Sequence, residues 1–547
     1  MPRAVAVPAR PAVSALLLAA HCLAVPAPAA PLAVSVLDVA GGRASDGLQW
    51  TSVNLDNWPP SKEKWGPASS PASALLINLD EPDLNTLAAA LRGAMLRIGG
   101  SPADSLLYET VAVPDACSAA NMNATQQPVG TYFCPIWHQV QGQCLTTARW
   151  EALLAFAARN GLRLVFDLNA CWGRNSSTSD MDWRQIDGLL AATAASMNAQ
   201  AVFAFEFANE VYDNIAPEVY GAAMARMRRV IDSLWTTSPA PVLVGPDCWE
   251  DDMTPAYYQA MARAANGSMH AVTVHDYGDD CCSAVGGNVL NLTCLDLLPS
   301  GAAGVAAVVA PFDLPVWNGE SALHASSGID GLTNTFVSSL FYVNELASYA
   351  AAGIGLVSRQ TFVGGDYELV NKSTFLPNPD FWALLLWRAQ VAGQLVEVSS
   401  SRPSGSVRAY AFCATAGPAG AAVAVIVNFA TDAPASVALQ WPKAASGGAT
   451  VSVWQLTGVE GYGGSGGGTG GGGGGRGSGG GAGGAPAWPM NSLYRAALNG
   501  ATLEFVRGGA LPPMPPAVLP AADGVSLPPL SVTFVRNDDA GADQACA

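Results

Sequence analysis

Short apolar runs recur between residues 50 and 362, each ending in a polar or glycine turn. They are WTSVNLD (50–56), AMLRIGG (94–100), LRLVFDLN (162–169) and VFAFEFANE (202–210), then PVLVGPD (241–247), HAVTVHD (270–276), PVWNGE (315–320) and GLVSRQTF (355–362). Runs that are apolar throughout, rather than alternating, fit strands of a parallel sheet covered on both faces. Between them lie stretches with helical spacing: LNTLAAALRGA, RWEALLAFAARNG, YGAAMARMRRVIDSLW and FVSSLFYVNELASYAAAG. Eight alternating strand and helix units predict an α/β fold, a TIM-type (β/α)8 barrel.

After about residue 390 the helical spacing stops. SVRAYAFCA, AAVAVIVNFA, SVALQW and TVSVWQL are short strand patterns between Gly, Pro and Ser turns, which predict a C-terminal antiparallel β-sandwich. LAVSVLDVA (32–40) precedes the first barrel run and is expected to add a strand to that sandwich. Residues 463–485 are almost pure glycine and can bury nothing, so they read as a disordered insert between two sandwich strands. They lack the GKS/T end and strand-to-helix setting of a phosphate loop. The expected division is a signal peptide at 1–30, an N-terminal strand at 31–45, a barrel at 46–392 and the sandwich at 393–547.

The signal-peptide expectation rests on Arg3 and Arg10, the apolar run AVSALLLAAHCLAV and the small residues APAA, with cleavage near Ala30. A plastid transit peptide is the competing reading, since the segment lacks acids. Removing Cys22 from the 11 cysteines leaves an even number, as an oxidising compartment favours. N-x-S/T sequons stand at Asn123, Asn175, Asn266, Asn291 and Asn371. A secreted glycoprotein is therefore expected, in a cell wall, a lysosome or a vacuole, with attachment to a membrane surface left open. No other apolar run reads as long and uncharged enough to span a membrane. A single uncleaved chain acting as a monomer is expected. The 43 acidic residues against 26 basic give a net charge of −17, which makes nucleic acid a poor partner.

Catalytic groups of such barrels sit at the C-terminal ends of strands. Glu210 ends the fourth run and Glu320 the seventh. One strand-end glutamate is ordinarily a solvated loop residue. Two, on strands that face across one pocket, suit glycoside hydrolysis. Glu210, beside Asn209, is the expected acid/base, its pKa raised by burial and by the second carboxylate. Glu320 is the expected nucleophile, and Asn209 the partner of the sugar's 2-hydroxyl. Cys281, Cys282 and Cys294 lie near His270 and His275, but their spacing fits no zinc pattern, so a local disulfide is expected rather than a metal. No cofactor is implied.

These motifs resemble glycoside hydrolase family 79, the heparanases and plant heparanase-like β-glucuronidases, over nearly all the chain after the leader. The likeness lies in NLDNWPP (54–60), LRIGGSPADSLLYE (96–109), LVFDLNA (164–170), EFANE (206–210) and VHDYG (274–278), and at greatest length in RQTFVGGDYELVNKSTFLPNPDFWALLLW (359–387). VRAYAFCA (407–414) and the closing CA carry it into the sandwich. The resemblance implies Glu210 as acid/base, Glu320 as nucleophile and Asn209 at the 2-hydroxyl. It also implies Asp56 on a glycone hydroxyl, His275 and Tyr277 beside the nucleophile, Tyr367 on the uronate carboxylate, and a Cys413–Cys546 disulfide. The implied partner is a uronic-acid-containing glycan, cleaved at β-linked glucuronic acid with retention.

The sequence departs from the family in places. SALHASSG follows Glu320, with Ala325 where the family often has an aromatic and His324 before it. Asp276 stands where a second histidine is common. The basic clusters of vertebrate heparanase have no counterpart, KEK (62–64) and RMRR (226–229) being the only dense ones. Two alternatives remain: a barrel glycosidase of neutral sugars, and an inactive glycan-binding homologue, against which both glutamates argue.

Overall fold

The structure is a computed structural model. It describes residues 32–37, 51–124 apart from 63, 67, 68 and 70, 143–211 apart from 175–179, 214–249 apart from 238, 253–278, 290–400, 405–443, 449–460 and 493–546. The leader, the glycine-rich insert, Cys134, Asn175, Cys281 and Cys282 lie outside the described residues.

Eight parallel strands close into a barrel in chain order. They are Thr51–Asn54, Met95–Ile98, Arg163–Leu168, Val202–Phe207, Val242–Trp249, Ala271–His275, Val316–Ser321 and Leu356–Arg359, here barrel strands one to eight. Each expected apolar run supplies one. Strand eight returns to strand one with Val357 opposite Thr51.

Strands five and seven are irregular on the two sides of strand six. Pro246 and Cys248 pair with consecutive residues of strand six, which leaves Asp247 as an extra residue, with φ of 58°. Asn318 and Glu320 likewise pair with Val274 and His275, leaving Gly319 over. A bulge of this kind re-aims the side chain that follows it. A Cβ at Gly319 would lie 2.1 Å from Asp247 Oδ1, so glycine is required where the two bulges meet.

Helix Thr147–Asn160 starts on Thr146, whose hydroxyl accepts from Arg149 N, and stops at left-handed Gly161. The helical stretch Leu292–Phe312 has a mean hydropathy of 1.7 and is long and apolar enough to cross a membrane by length and composition, which corrects the expectation that no run after the leader is. In the fold it breaks into Leu292–Leu297, Ser300–Val309 and a short 3-10 turn, and buries Leu295, Ala302 and Val305, with Ser300–Val309 packed on strand seven and helix Pro255–Ala265.

The C-terminal strands form one hydrogen-bonded path. Leu32–Leu37 pairs antiparallel with Val391–Ser400 and parallel with Ala435–Gln440, so the sheet is antiparallel except at this pair. Val391–Ser400 follows directly on helix Pro379–Gln390 and has no match among the expected strands. In strand Ala422–Asn428 all seven residues are buried. Ala422, Ala424 and Ile426 fill the sandwich's own core, while Val423, Val425 and Val427 join the larger core shared with the barrel. Helix Phe336–Ala351 packs between them, with residues 336–350 buried all round, and its few polar side chains, Ser338, Ser339, Asn344, Glu345 and Ser348, are buried with the rest.

Cys117 is bonded to Cys144, and Cys413 to Cys546. Cys294 is also disulfide-bonded, in keeping with the disulfide reading of its cluster. The Cys413–Cys546 bond closes a span of 133 residues. Chain-entropy arguments give it a stabilisation of about 5 kcal/mol, an upper figure for a compact unfolded state. Cys413→Ser with Cys546→Ser is expected to lower the urea midpoint of the sandwich accordingly; an unchanged midpoint would contradict this.

Candidate active site

The C-terminal ends of the strands converge on Arg97, a residue the sequence reading did not single out. It sits on strand two, 2% exposed, and its guanidinium is shared among carboxylates of four other strands. Nε donates to Glu206 Oε2 at 2.5 Å, Nη1 to Glu320 Oε1 at 2.8 Å and Nη2 to Asn209 Oδ1 at 2.8 Å. Nη2 also donates to Asp247 Oδ2 and lies 3.5 Å from Asp167 Oδ2. Asp167, Glu206 and Asp247 offer oxygens within 4.8 Å of one another, a metal-like spacing, and the guanidinium already sits among them.

So many buried acids cannot all be ionised. Burial raises Asp167 well above the ordinary carboxylate range, with Arg97 opposing. Burial likewise raises Glu206 to about 7, again against Arg97. For Asp247, burial is outweighed by Arg97 and His275, which hold it below the ordinary value.

Asn209 and Glu210 leave strand four on a strained turn. Ala208 and Glu210 are left-handed, with φ of 73° and 50°. Three hydrogen bonds hold the turn: Ala208 N to Leu168 O at 3.1 Å, Asn209 N to Asp104 Oδ2 at 3.0 Å and Glu210 N to Asp247 O at 2.8 Å. Asn209 is buried, and its Nδ2 has no hydrogen-bond partner in the protein.

His275 is fully buried between acids. Nδ1 lies 2.7 Å from Glu210 Oε1 and 3.8 Å from Glu320 Oε2, and Nε2 lies 2.8 Å from Asp247 Oδ2. Burial disfavours its charged form, but Asp247 and then Glu320 outweigh it, so its pKa lies well above the ordinary histidine value. Glu210 and Glu320 thus face one another across His275, the three ligating atoms within 4.8 Å. Glu320 accepts from Arg97 on one oxygen and from Tyr277 Oη at 2.6 Å on the other. Trp249 backs the Tyr277 ring, centroids 5.3 Å apart.

Asp56 follows strand one. Its Oδ2 accepts from Gln360 Nε2 at 2.7 Å, and the same nitrogen lies 3.4 Å from Tyr367 Oη. Burial and then Glu320 push Asp56 well above the ordinary range. A Cβ at Gly100, whose φ is +82°, would meet Asp56 Cγ at 2.8 Å, so the GG of LRIGG is set by the carboxylates it passes. Beyond Glu320, residues Ser326, Ser327 and Gly328 are successively left-handed, at 52°, 69° and 74°. Consecutive N–H groups in such a turn form an anion-binding concavity. Asp276, at the departure in strand six, points the other way and accepts from Tyr349 Oη. The structure thus brings Asn209, Glu210, His275, Tyr277 and Glu320 together, and Asp56 and Tyr367 onto the same Gln360; Arg97, Asp167, Glu206, Asp247 and Gln360 were missed. For Arg97, Asp167 and Glu206 a signal existed: each is a charge inside an apolar strand, which burial permits only with a partner.

Residues 40–347 match the family profile described as Glycosyl hydrolase family 79, N-terminal domain. Heparanase-like protein 3 of Arabidopsis thaliana is 24% identical over 515 residues, covering 90% of this chain and 91% of its own. Baicalin-beta-D-glucuronidase of Scutellaria baicalensis is 25% identical over 396 residues, covering 67% and 72%. Among solved structures, a 4-O-alpha-L-rhamnosyl-beta-D-glucuronidase from Fusarium oxysporum 12S superposes with a TM-score of 0.57 at 13% identity, covering 92% of this chain and 99% of its own. A GH51 arabinofuranosidase from Xanthomonas axonopodis pv. citri does so with 0.59 at 13%, covering 92% and 100%. At that identity the superpositions speak for the fold alone.

Behind strand seven, Ser321 donates to Glu345 Oε1 on the buried helix Phe336–Ala351. Burial raises Glu345 to about 8, against Ser321 and Arg359. Between its unfolded value near 4.5 and about 8 the folded chain holds a proton that the unfolded chain has lost. Stability therefore falls as pH rises through that window. Glu345→Gln, an isostere of the protonated acid, is expected to flatten the slope in urea unfolding between these limits. An unchanged slope would mean that Glu345 is ionised in the fold.

Proposed function

The chain belongs to glycosyl hydrolase family 79 and is a heparanase-like glycoside hydrolase, and from that premise we propose that it cleaves β-linked glucuronic acid with retention. The observation that carries the mechanism is the closeness of Glu210 and Glu320, with oxygens within 4.8 Å. Retaining enzymes hold their carboxyl groups about 5–5.5 Å apart, whereas inverting ones leave room for a water at about 6.5–9.5 Å.

In this reading a Glu320 oxygen, oriented by Arg97 and Tyr277, attacks the anomeric carbon. The glycosidic oxygen leaves with the proton of Glu210, and a glycosyl ester to Glu320 forms. Glu210, now a carboxylate, takes a proton from water as that water attacks the same carbon and releases Glu320. His275, whose pKa its acid neighbours raise and whose Nδ1 lies 2.7 Å from Glu210 Oε1, steadies Glu210 while it is ionised. The unpartnered Nδ2 of Asn209 is available to the sugar's 2-hydroxyl, a contact that strengthens as the ring flattens toward an oxocarbenium ion.

The uronate carboxylate is assigned to Tyr367 and to the N–H groups of the left-handed turn at Ser326 and Ser327. Backbone donors survive the change to Ala325, which removes only an aromatic wall. The baicalin glucuronidase and heparanases among the relatives fit a uronide substrate. With a net charge of −17, a long sulfated chain would be repelled on approach. Secretion, with glycans such as those of cell walls as substrate, completes the reading.

Two measurements test it. Glu320→Gln should abolish turnover, while Glu210→Gln should recover on substrates with good leaving groups, which need no acid in the first step; no such recovery would remove Glu210 from that role. The kcat/KM for p-nitrophenyl β-glucuronide should exceed that for the β-glucoside, and equal or reversed values would move the enzyme to neutral sugars.

A further inference from the structure

Segments 59–66 and 364–372 carry three lysines, and two of them are engaged with backbone carbonyls and carboxylates. Lys64 Nζ donates to Gly328 O at 2.6 Å and pairs with Asp366 at 3.2 Å. Lys372 Nζ donates to Gly365 O at 2.8 Å and pairs with Glu368 at 3.3 Å and Asp366 at 3.6 Å. Lys62 differs from both. Its Nζ lies 3.7 Å from the centroid of the Trp58 ring, and no carboxylate among the described residues pairs with it. The side chain is half-buried; burial lowers its pKa from the usual lysine value, and Asp56 opposes that.

The loop that carries Lys62 is fastened where the proposed carboxylate site lies. Lys62 N donates to Pro59 O at 2.9 Å, and Trp65 N to Lys62 O at 3.2 Å. Trp65 Nε1 then donates to Ser327 Oγ at 3.3 Å, and Gly365 N to Lys64 O at 3.0 Å. The loop is thus tied to both segments, Ser326–Gly328 and Gly365–Tyr367, that the proposed function assigns to the uronate. A cation there favours an anionic sugar: Glu210 and Glu320 are acids, Tyr367 and backbone N–H groups carry no formal charge, and the Arg97 guanidinium is already shared among buried carboxylates. An ammonium has three donors, and the indole face takes up one side of it.

We propose that Lys62, laid against Trp58, is the specificity-determining cation that binds the carboxylate of the sugar in this pocket. The inference rests on the uronide reading and adds the residue that makes the pocket prefer an anion. A charge-assisted contact of this kind is worth roughly tenfold in kcat/KM.

The test is the ratio of kcat/KM for p-nitrophenyl β-glucuronide to that for p-nitrophenyl β-glucoside, measured on the full chain, its Lys62→Gln variant and its Lys62→Arg variant. A ratio does not depend on the fraction of enzyme folded. Lys62→Gln is expected to lower it about tenfold, mostly through KM, and Lys62→Arg to keep it within about threefold. The deficit of Lys62→Gln should shrink as salt screens the contact. An unchanged ratio in Lys62→Gln, beside a wild-type chain that prefers the glucuronide, overturns this proposal alone. A wild-type chain without that preference overturns the uronide reading and this proposal with it.

Discussion

Arg97 is the constraint around which the barrel's upper end is arranged. One guanidinium meets Glu206, Asp247, Glu320 and Asp167, with Asn209 on the same nitrogen as Asp247. Buried charge of this density persists only if it is paired and partly protonated. The fold does both. Arg97 supplies positive charge and its acid neighbours raise the pKa of His275, while burial pushes Asp56 and Asp167 well above the ordinary carboxylate range and shifts Glu206 to about 7. Breaking a buried pair of this kind costs on the order of 3–5 kcal/mol. The same cluster fixes geometry: Glu320 and Asn209, from strands seven and four, are held on two nitrogens of one planar group. Their relative position then has little freedom before any sugar arrives.

The two bulges belong to this arrangement. Asp247 and Glu320 reach inward because strands five and seven each carry one residue more than strand six can match. Gly319 is where the bulges would collide, and it admits no side chain. The motif NGE thus has two separate causes, a carboxylate for the pocket and a glycine for the neighbouring strand's carboxylate.

Much of this was legible in the sequence, and what was not has identifiable reasons. The barrel strands were legible because a parallel strand covered on both faces is apolar throughout. Glu210 and Glu320 were legible because they end such runs. Arg97, Asp167 and Glu206 were overlooked because, mid-strand, they interrupt a pattern read for its apolar residues; the register that sets Asp167 opposite Glu206, and the Arg97 guanidinium that reaches both, make them one cluster. Asp247 was hidden by its bulge, since no spacing rule says which residue of VGPDCW turns inward. Strand Val391–Ser400 was missed because it begins where a helix ends, without a turn residue between them. Lys62 looked like part of a charge run, and only the pairing of Lys64 with Asp366 sets it apart.

The N-terminal strand Leu32–Leu37 has a consequence for the order in which the molecule can be built. Its partners are Val391–Ser400 and Ala435–Gln440, and Ser35 donates to a glutamine 405 residues further on. A ribosome adding about 5–20 residues per second needs roughly 20–80 s to cover that distance. For that interval the strand is an unpaired edge beside a barrel whose own strands follow one another in chain order and can close without it. Val34 and Val36, both buried in the finished sheet, remain exposed to any other unpaired strand until then. Emergence of the chain therefore separates two assembly events, with a strand made before the barrel waiting for partners made after it.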